Sequence, residues 1–322
     1  MTRSPSQDAV LRTLAWNETL GYAPTRAELM LTCDVGNSGS CESEAVSREI
    51  DAMISEGAIV EQMGRIGFSE NIDRIVETIR AREMYQPRKR RRARRVALWL
   101  SRLPSVRFIA LANTTAIGHA RDEGDLDFFV VVHAGTIWTT RLFSALPFRI
   151  LGMTPNGKNA RDAVCLSYFV TDDALDLSSH TLPQDDPYFR YWFLSLLPLY
   201  DDGVSRELWE ANAKLRERHP CARRWIASPR EQITGYRLQV TEDSCDALRS
   251  TVYGLPSPIY RLIEPLARYL QMRWFPTAIR DRMNRDTTVI VNDQTLKFHV
   301  TDGRESYRRT YYERCQKRGV AS

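Results

Sequence analysis

The chain has 322 residues, a length sufficient for two or three domains. Of these residues, 43% are hydrophobic and 26% are charged, which is ordinary for a folded protein. Its formal net charge is +5 at pH 7, and no stretch approaches the ~18 apolar residues of a membrane-spanning helix. The first residues, MTRSPSQDAV, contain no apolar segment typical of a secretory signal, so we expect a cytoplasmic protein. The scattered cysteines form no Cys-x-x-Cys pair and indicate neither a disulfide framework nor a zinc site.

Residues 1–68 have the pattern of three helices followed by a hairpin. Apolar residues at helical spacing predict a helix over residues 8–20, the capping box Thr25-Arg26-Ala27-Glu28 opens a second, and a third ends at Gly57. A hairpin with Gly64 near its turn follows, and this order predicts a winged helix-turn-helix. The third helix offers mainly Arg48 beside four acidic residues, and DNA binding depends on phosphate neutralisation. We therefore favour a packing or protein-contact module over a DNA reader.

Residues 69–104 predict a long connecting helix that is interrupted or bent near Pro87. It carries a run in which seven of eight residues are basic: Arg88, Lys89, Arg90, Arg91, Arg92, Arg94 and Arg95. Such a run is usually a solvated helix face. However, like charges at this density repel one another, and an anionic partner would relieve the repulsion. Nucleic acid or another polyanion is therefore an equally open interpretation.

Residues 105–200 contain the stretch with the main candidate functional residues, VRFIALANTTAIGHARDEGDLDFFVVV. Apolar runs at 106–112 and 128–132 predict two buried strands, separated by a small polar patch and a charged turn. Because residues two apart share a face of a strand, Asp125 and Asp127 point the same way at the start of the second strand. Paired carboxylates of this kind suit a divalent cation, and the alternative interpretation is a solvated acidic turn.

A third strand is predicted at 164–170, after a helix at 137–151 that is broken near Pro147. Strand, helix and strand around a central acidic pair predict an α/β core with a mixed sheet. Residues 201–322 predict a mainly helical C-terminal domain, with two short strands near 287–291 and 296–300.

The acidic motif resembles that of the nucleotidyltransferase superfamily, which has the polymerase β-like fold. That family has a Gly-Ser loop after its first strand and an Asp-x-Asp pair at the start of the next. Here Asn113-Thr114 stands in place of Gly-Ser, and Asp125-Leu126-Asp127 follows with Asp125 eleven positions after Thr114, a spacing that suits the small stand-alone members. The order of winged helix, basic helix, core and helical C-terminal half is similar to that of poorly characterised bacterial proteins with this domain.

The resemblance implies an enzyme that moves a nucleoside monophosphate from a nucleoside triphosphate, with ATP the expected donor, to a nucleic acid, a protein or a small molecule. Asp125 and Asp127 would coordinate Mg²⁺ or Mn²⁺, which bridges the phosphates. Asp162 is the best candidate for a third acidic function. The remaining candidates for binding the triphosphate lie in two polar loops: Asn113, Thr114, Thr115, Gly118 and Lys158.

Two departures from the family pattern leave a second function open. Asn113 replaces the glycine that lets backbone amides approach phosphate, although asparagine tolerates left-handed φ better than most residues. The strand at 164–170 contains no carboxylate where the family has a third, and Ser167 is the residue we expect in that position. The alternative is a catalytically degenerate fold that binds nucleic acid or a partner. Retention of both aspartates favours the enzyme.

Overall fold

A computed structural model describes residues 3–36, 42–155, 160–225 and 257–321. The N-terminal part begins with helices α1 (Pro5–Thr19), α2 (Arg26–Leu31) and α3 (Ser43–Ser55). An antiparallel hairpin of β1 (Val60–Gln62) and β2 (Arg65–Gly67) follows. The predicted capping box is present at α2, where the Thr25 side chain accepts from the Glu28 backbone and the Glu28 side chain accepts from the Thr25 backbone. The expected order of helices and hairpin is therefore observed.

The connecting helix is interrupted near Pro87, the first of the two predicted alternatives, and it consists of α4 (Ile72–Glu83) and α5 (Gln86–Leu100). Pro87 lies in the first turn of α5, where a missing N–H group leaves no helical hydrogen bond unmade. It therefore starts a helix instead of bending one. The buried face of α5 packs Ala93, Val96 and Leu100 on the main hydrophobic core.

A mixed six-stranded sheet forms the centre of the molecule. Its strands are β3 (Val106–Leu111), β4 (Leu126–Val132), β5 (Val164–Thr171), β6 (Leu197–Asp201), β7 (Val289–Val291) and β8 (Thr295–Phe298). They lie in the order β6-β3-β4-β5-β8-β7, with β4 and β5 parallel and the other neighbours antiparallel. The predicted α/β class with a mixed sheet is confirmed.

The edges of this sheet are the part that the sequence does not predict. The sequence predicts no strand for the segment that becomes β6, and it places β7 and β8 in a separate, mainly helical C-terminal domain. The structure instead pairs β6 with β3 at one edge of the sheet, and β8 with β5 toward the other edge.

Helices cover both faces of the sheet. One face packs on α5, α7 (Ile137–Ile150) and α11 (Ser257–Trp274), and the other packs on α8 (Pro187–Leu194), α9 (Ser205–Ala211) and α10 (Ala213–Arg216). Pro147 lies inside α7 and does not break it, contrary to the prediction. The remaining helices are α6 (Asn113–Ala116), α12 (Thr277–Arg282) and α13 (Arg304–Lys317).

The N-terminal unit shares a hydrophobic core with α8 and α13. Trp16 stacks on Tyr191 of α8 with ring centroids 4.9 Å apart, and it meets the Tyr311 ring of α13 edge to face. These buried aromatic contacts pack α1 against α13, which lie at the two ends of the described chain. Within the described residues, no helix is both long enough and apolar enough to cross a membrane.

Candidate functional site

The candidate site lies at the end of the sheet where β3 stops and β4 and β5 begin. After Leu111 the chain turns through α6, and the Ala112 N–H donates to the Asp127 carbonyl at 3.0 Å, which holds the loop against the start of β4. Asp125 directly precedes β4, and Asp127 is its second residue. Side-chain alternation along β4 places Asp127 on the same face as Phe129 and Val131, the face covered by α8.

Three side chains converge at this point: Asp125, Asp127 and Cys165. Each brings one ligand atom to within 4.8 Å of the others. Cys165 reaches the aspartates because β4 and β5 run parallel, with Cys165 directly opposite Asp127 in the register. All three side chains are half-buried, so the group lies at the margin of the core rather than in bulk solvent.

The negative charge of this group is poorly compensated. Burial, and then the charge of Asp125, raise the pKa of Asp127 to about 6, and burial also raises the pKa of Asp125. Burial and the charge of Asp127 raise the pKa of the Cys165 thiol well above its ordinary value. Among the described residues, no arginine, lysine or histidine forms an ion pair within 4.0 Å of either aspartate. A divalent cation would therefore stabilise the ionised form of the whole group.

Asn113 orients one of the aspartates. Its backbone has φ of +57°, a left-handed conformation that asparagine adopts more readily than most residues. From there its Nδ2 donates to Asp127 Oδ2 at 2.7 Å, and its Oδ1 accepts from the Tyr188 hydroxyl of α8 at 3.0 Å. Glycine at this position would keep the backbone conformation but lose both hydrogen bonds. Asn113 is thus a positioning residue for Asp127.

The other residues of the first polar loop point in different directions. Thr115 is buried, and its hydroxyl donates to the Asp125 carbonyl at 3.3 Å, whereas Thr114 is exposed beside it. Gly118 has φ of +74°, and a Cβ placed there would lie 3.8 Å from an Arg90 Nη atom. The exposed hydroxyl of Thr114 and the nearby Arg90 guanidinium are the groups of this loop suited to an anion. Lys158 of the second polar loop lies outside the described residues.

Asp162 does not join the three-residue group, contrary to the expected third acidic function. Its carboxylate accepts from Arg88 Nε at 2.6 Å and from Lys89 Nζ at 2.8 Å. Burial alone would raise its pKa, but these two hydrogen bonds hold the pKa below the ordinary value. Lys89 is fully buried and also donates to the Gly124 carbonyl. Asp162 therefore anchors α5 to the turn that precedes β4.

This anchoring divides the basic run of α5 into two parts. Arg88 and Lys89 face inward and pair with Asp162, and Arg88 also pairs with Asp122. Arg91 and Arg95 are exposed one helical turn apart, while Arg90, Arg92 and Arg94 are half-buried. The run is thus neither a uniform solvated face nor a uniform binding surface.

Sequence reasoning missed two residues of this site, Cys165 and Tyr188. Cys165 has the same parity as Ser167, the residue expected to stand in the third position, and its thiol donates to the Ser167 hydroxyl at 3.3 Å. The choice between them depends on the β4–β5 register, which shifts between the Asp127–Cys165 and Phe129–Tyr168 pairs. No sequence pattern indicated Tyr188 as a site residue, because its contact with Asn113 joins positions 75 residues apart.

Comparisons with protein-family models, with curated proteins and with solved structures found no match. The function therefore has to be inferred from the geometry of these residues.

Proposed function

We propose that the protein is a divalent-cation-dependent nucleotidyltransferase with a polymerase β-like core. It would transfer a nucleoside monophosphate from a nucleoside triphosphate, with ATP the expected donor, to an acceptor. The observation that carries the proposal is the convergence of Asp125 and Asp127 at the start of β4 without an ion-pair partner among the described residues. Paired carboxylates beside a hydroxyl-bearing loop are what metal-assisted phosphoryl chemistry requires.

The two carboxylates fit a divalent cation, because carboxylate oxygens are the usual protein ligands of Mg²⁺ and Mn²⁺. Asp125 and Asp127 would hold the cation, and Asn113 keeps the Asp127 carboxylate in place through its 2.7 Å hydrogen bond. When bound, such a cation neutralises triphosphate charge and orients the α-phosphate for in-line attack, with pyrophosphate as the leaving group.

Thr114 and Arg90 would contact the terminal phosphates. The Thr114 side chain is exposed in the loop between β3 and β4, and the Arg90 guanidinium lies beside Gly118 of the same loop. Guanidinium groups donate to phosphate oxygens, so an anion bound at this loop would pair with Arg90.

The N-terminal unit would be a winged helix that serves packing rather than DNA reading. Its core is continuous with α8 and α13, and the exposed residues of α3 include Glu44 and Asp51 beside Arg48. The exposed Arg91 and Arg95 of α5 are better placed to contact a nucleic acid acceptor. We therefore propose that these two arginines contact the polyanion.

A second candidate is a scaffold of the same fold that binds nucleic acid or a partner without turnover. Cys165 is the observation that favours it, because it replaces the third carboxylate that the family resemblance leads us to expect. Asn113, which stands where the family has glycine, also favours this second candidate.

Thermal unfolding with each nucleoside triphosphate, with and without Mg²⁺ or Mn²⁺, tests the first candidate. A ligand that binds the native state stabilises it by about 2.7 kcal/mol at a hundredfold excess over its dissociation constant. We expect a cation-dependent rise in melting temperature for one nucleotide, lost in Asp125→Asn/Asp127→Asn. Glu123→Gln is the matched control, because Glu123 is an exposed acid in the same turn. No shift with any nucleotide would favour the second candidate.

A further inference from the structure

The third member of the candidate metal site is a thiol. Cys165 Sγ lies within 4.8 Å of a carboxylate oxygen of both Asp125 and Asp127. The parallel pairing of β4 with β5 fixes its Cα opposite that of Asp127, so the thiol is held in place by the sheet rather than by a loop. A cation bound by both carboxylates at this point would have Sγ close enough to serve as a further ligand atom.

This donor set does not suit Mg²⁺ well. Mg²⁺ requires near-octahedral oxygen ligands at about 2.0–2.1 Å, and sulfur ligands favour softer cations. Co²⁺ and Zn²⁺ accept carboxylate oxygen and thiolate sulfur in one coordination sphere, whereas Mn²⁺ prefers oxygen ligands as Mg²⁺ does. The combination of two carboxylates and one thiol therefore favours Zn²⁺ and Co²⁺ over Mg²⁺ more strongly than three carboxylates would.

We propose that Cys165 is a direct ligand of the catalytic cation and makes this site select Zn²⁺ or Co²⁺ over Mg²⁺ and Mn²⁺. This inference rests on the proposed function, since it concerns the same site. Binding places the Cys165 sulfur on the cation and releases the thiol proton to solvent. Asp125 and Asp127 supply the oxygen ligands, and Asn113 continues to hold the Asp127 carboxylate.

The test is direct metal binding to the full chain after chelator treatment. Isothermal titration with Mn²⁺, Zn²⁺ and Mg²⁺ gives the order of affinities. Absorption in the near ultraviolet on adding Co²⁺ reports a sulfur–cobalt bond through its charge-transfer band. The variants are Cys165→Ser, which keeps the side-chain size but offers oxygen, and Cys165→Asp, which restores a third carboxylate. Cys221→Ser is the matched control, because Cys221 is likewise a half-buried cysteine but does not belong to the three-residue group.

We expect the wild type to bind Zn²⁺ more tightly than Mg²⁺ or Mn²⁺ and to show the cobalt band. Cys165→Ser should lose the band and at least about tenfold in Zn²⁺ affinity, the lower bound for losing even an outer-shell partner of a metal. Cys165→Asp should narrow the preference for Zn²⁺ over Mg²⁺, and Cys221→Ser should behave as wild type. Thermal unfolding of each variant checks that it is folded.

Two results would overturn the inference in different ways. If cations bind and Asp127→Asn abolishes that binding, but Cys165→Ser changes neither the affinity order nor the cobalt spectrum, then Cys165 is not a ligand and the proposed function stands. If no cation binds the wild type, both the thiol ligand and the metal-dependent function are wrong.

Discussion

Two aspartates, Asp34 and Asp127, have opposite surroundings within one chain. Asp34 is fully buried, and its carboxylate accepts from Arg218 Nε at 2.9 Å and from the Gly36 N–H at 2.9 Å. Arg190 and Arg12 approach it to 3.4 and 3.9 Å. Burial alone would raise its pKa, yet the surrounding positive charge holds the pKa below the ordinary value.

Asp127 is half-buried and has no such compensation among the described residues. Its described side-chain partners, Asn113 and Cys165, are neutral, and Asn113 donates a hydrogen bond to its carboxylate. The charge that raises its pKa is the negative charge of Asp125. A buried carboxylate that is paired with cationic side chains has a structural role, because removing either partner would leave a buried charge uncompensated. One that lacks them is a candidate for binding a cation from solution. The comparison thus separates a structural acid from a functional one.

The largest effect expected from this comparison is on activity. Asp127→Asn removes the charge that would bind the cation, so nucleotide transfer should fall by at least about a thousandfold, as for loss of a group on which transition-state charge stabilisation depends. Because the substitution also removes repulsion with Asp125, the free energy of unfolding should stay the same or rise. Steady-state transfer assays beside denaturant unfolding measure both. Full retained activity would show that Asp127 is not a metal ligand.

The same substitution at Asp34 should act on stability. Asp34→Asn would leave Arg12, Arg190 and Arg218 without their shared counter-charge, and we expect a loss of about 3–5 kcal/mol in the free energy of unfolding. Asp281→Asn, at an exposed position of α12, is the control and should change stability by less than about 0.5 kcal/mol. Equal stability of the Asp34 and Asp127 variants would remove the distinction between the two acids.

The two acids should also give opposite pH dependence in the presence of chelator. The native-state pKa of Asp127 is about 6, against an ordinary 3.8, so between these values the native state binds more protons than the unfolded chain. Stability from this group is therefore lost as pH rises from about 4 to about 6, by about 1–3 kcal/mol. The pKa of Asp34 is lowered, so its contribution is lost only as pH falls below 3.8.

Unfolding curves of the wild type and of Asp127→Asn across pH 3 to 7 measure the first contribution as a difference between two proteins. That difference should narrow toward low pH, where wild-type Asp127 is protonated and neutral like asparagine. A difference that does not change with pH would show that Asp127 titrates normally.

The parts of this site that the sequence predicts are those that depend on local periodicity. Apolar runs locate β3, β4 and β5, and the two-residue repeat of a strand places Asp125 and Asp127 on one face. The sequence also carries β7 and β8 as short apolar runs, but it contains no signal that they would pair with β5. Pairing across more than a hundred residues depends on the packed faces of both segments, which no local window contains.

The roles of individual charged residues were harder to predict for a related reason. Asp162 has the position expected of a third catalytic acid, but Arg88 and Lys89 reach it from a helix 74 and 73 residues earlier. A carboxylate beside a strand and a basic run on a helix are each ambiguous in sequence. Their contact in space makes Asp162 and the first part of the run structural.

The exposed part of the basic run should contribute least to stability. Arg91→Gln/Arg95→Gln removes two exposed charges, so the free energy of unfolding should change by less than about 0.5 kcal/mol. If these arginines contact nucleic acid, the slope of log affinity against log salt for duplex DNA should fall by about 0.9 for each phosphate contact removed. Fluorescence anisotropy over a salt series measures the slope.

Arg88→Gln is the matched control, with one of the same charges removed from the same run. Arg88 pairs with Asp122 and Asp162, so its loss should lower stability and leave the salt slope unchanged. An unchanged slope in the Arg91/Arg95 variant would make those residues a solvated helix face. A slope reduced equally by both variants would mean that Arg88 also reaches the nucleic acid, and that its pairs with the two aspartates exchange for phosphate on binding.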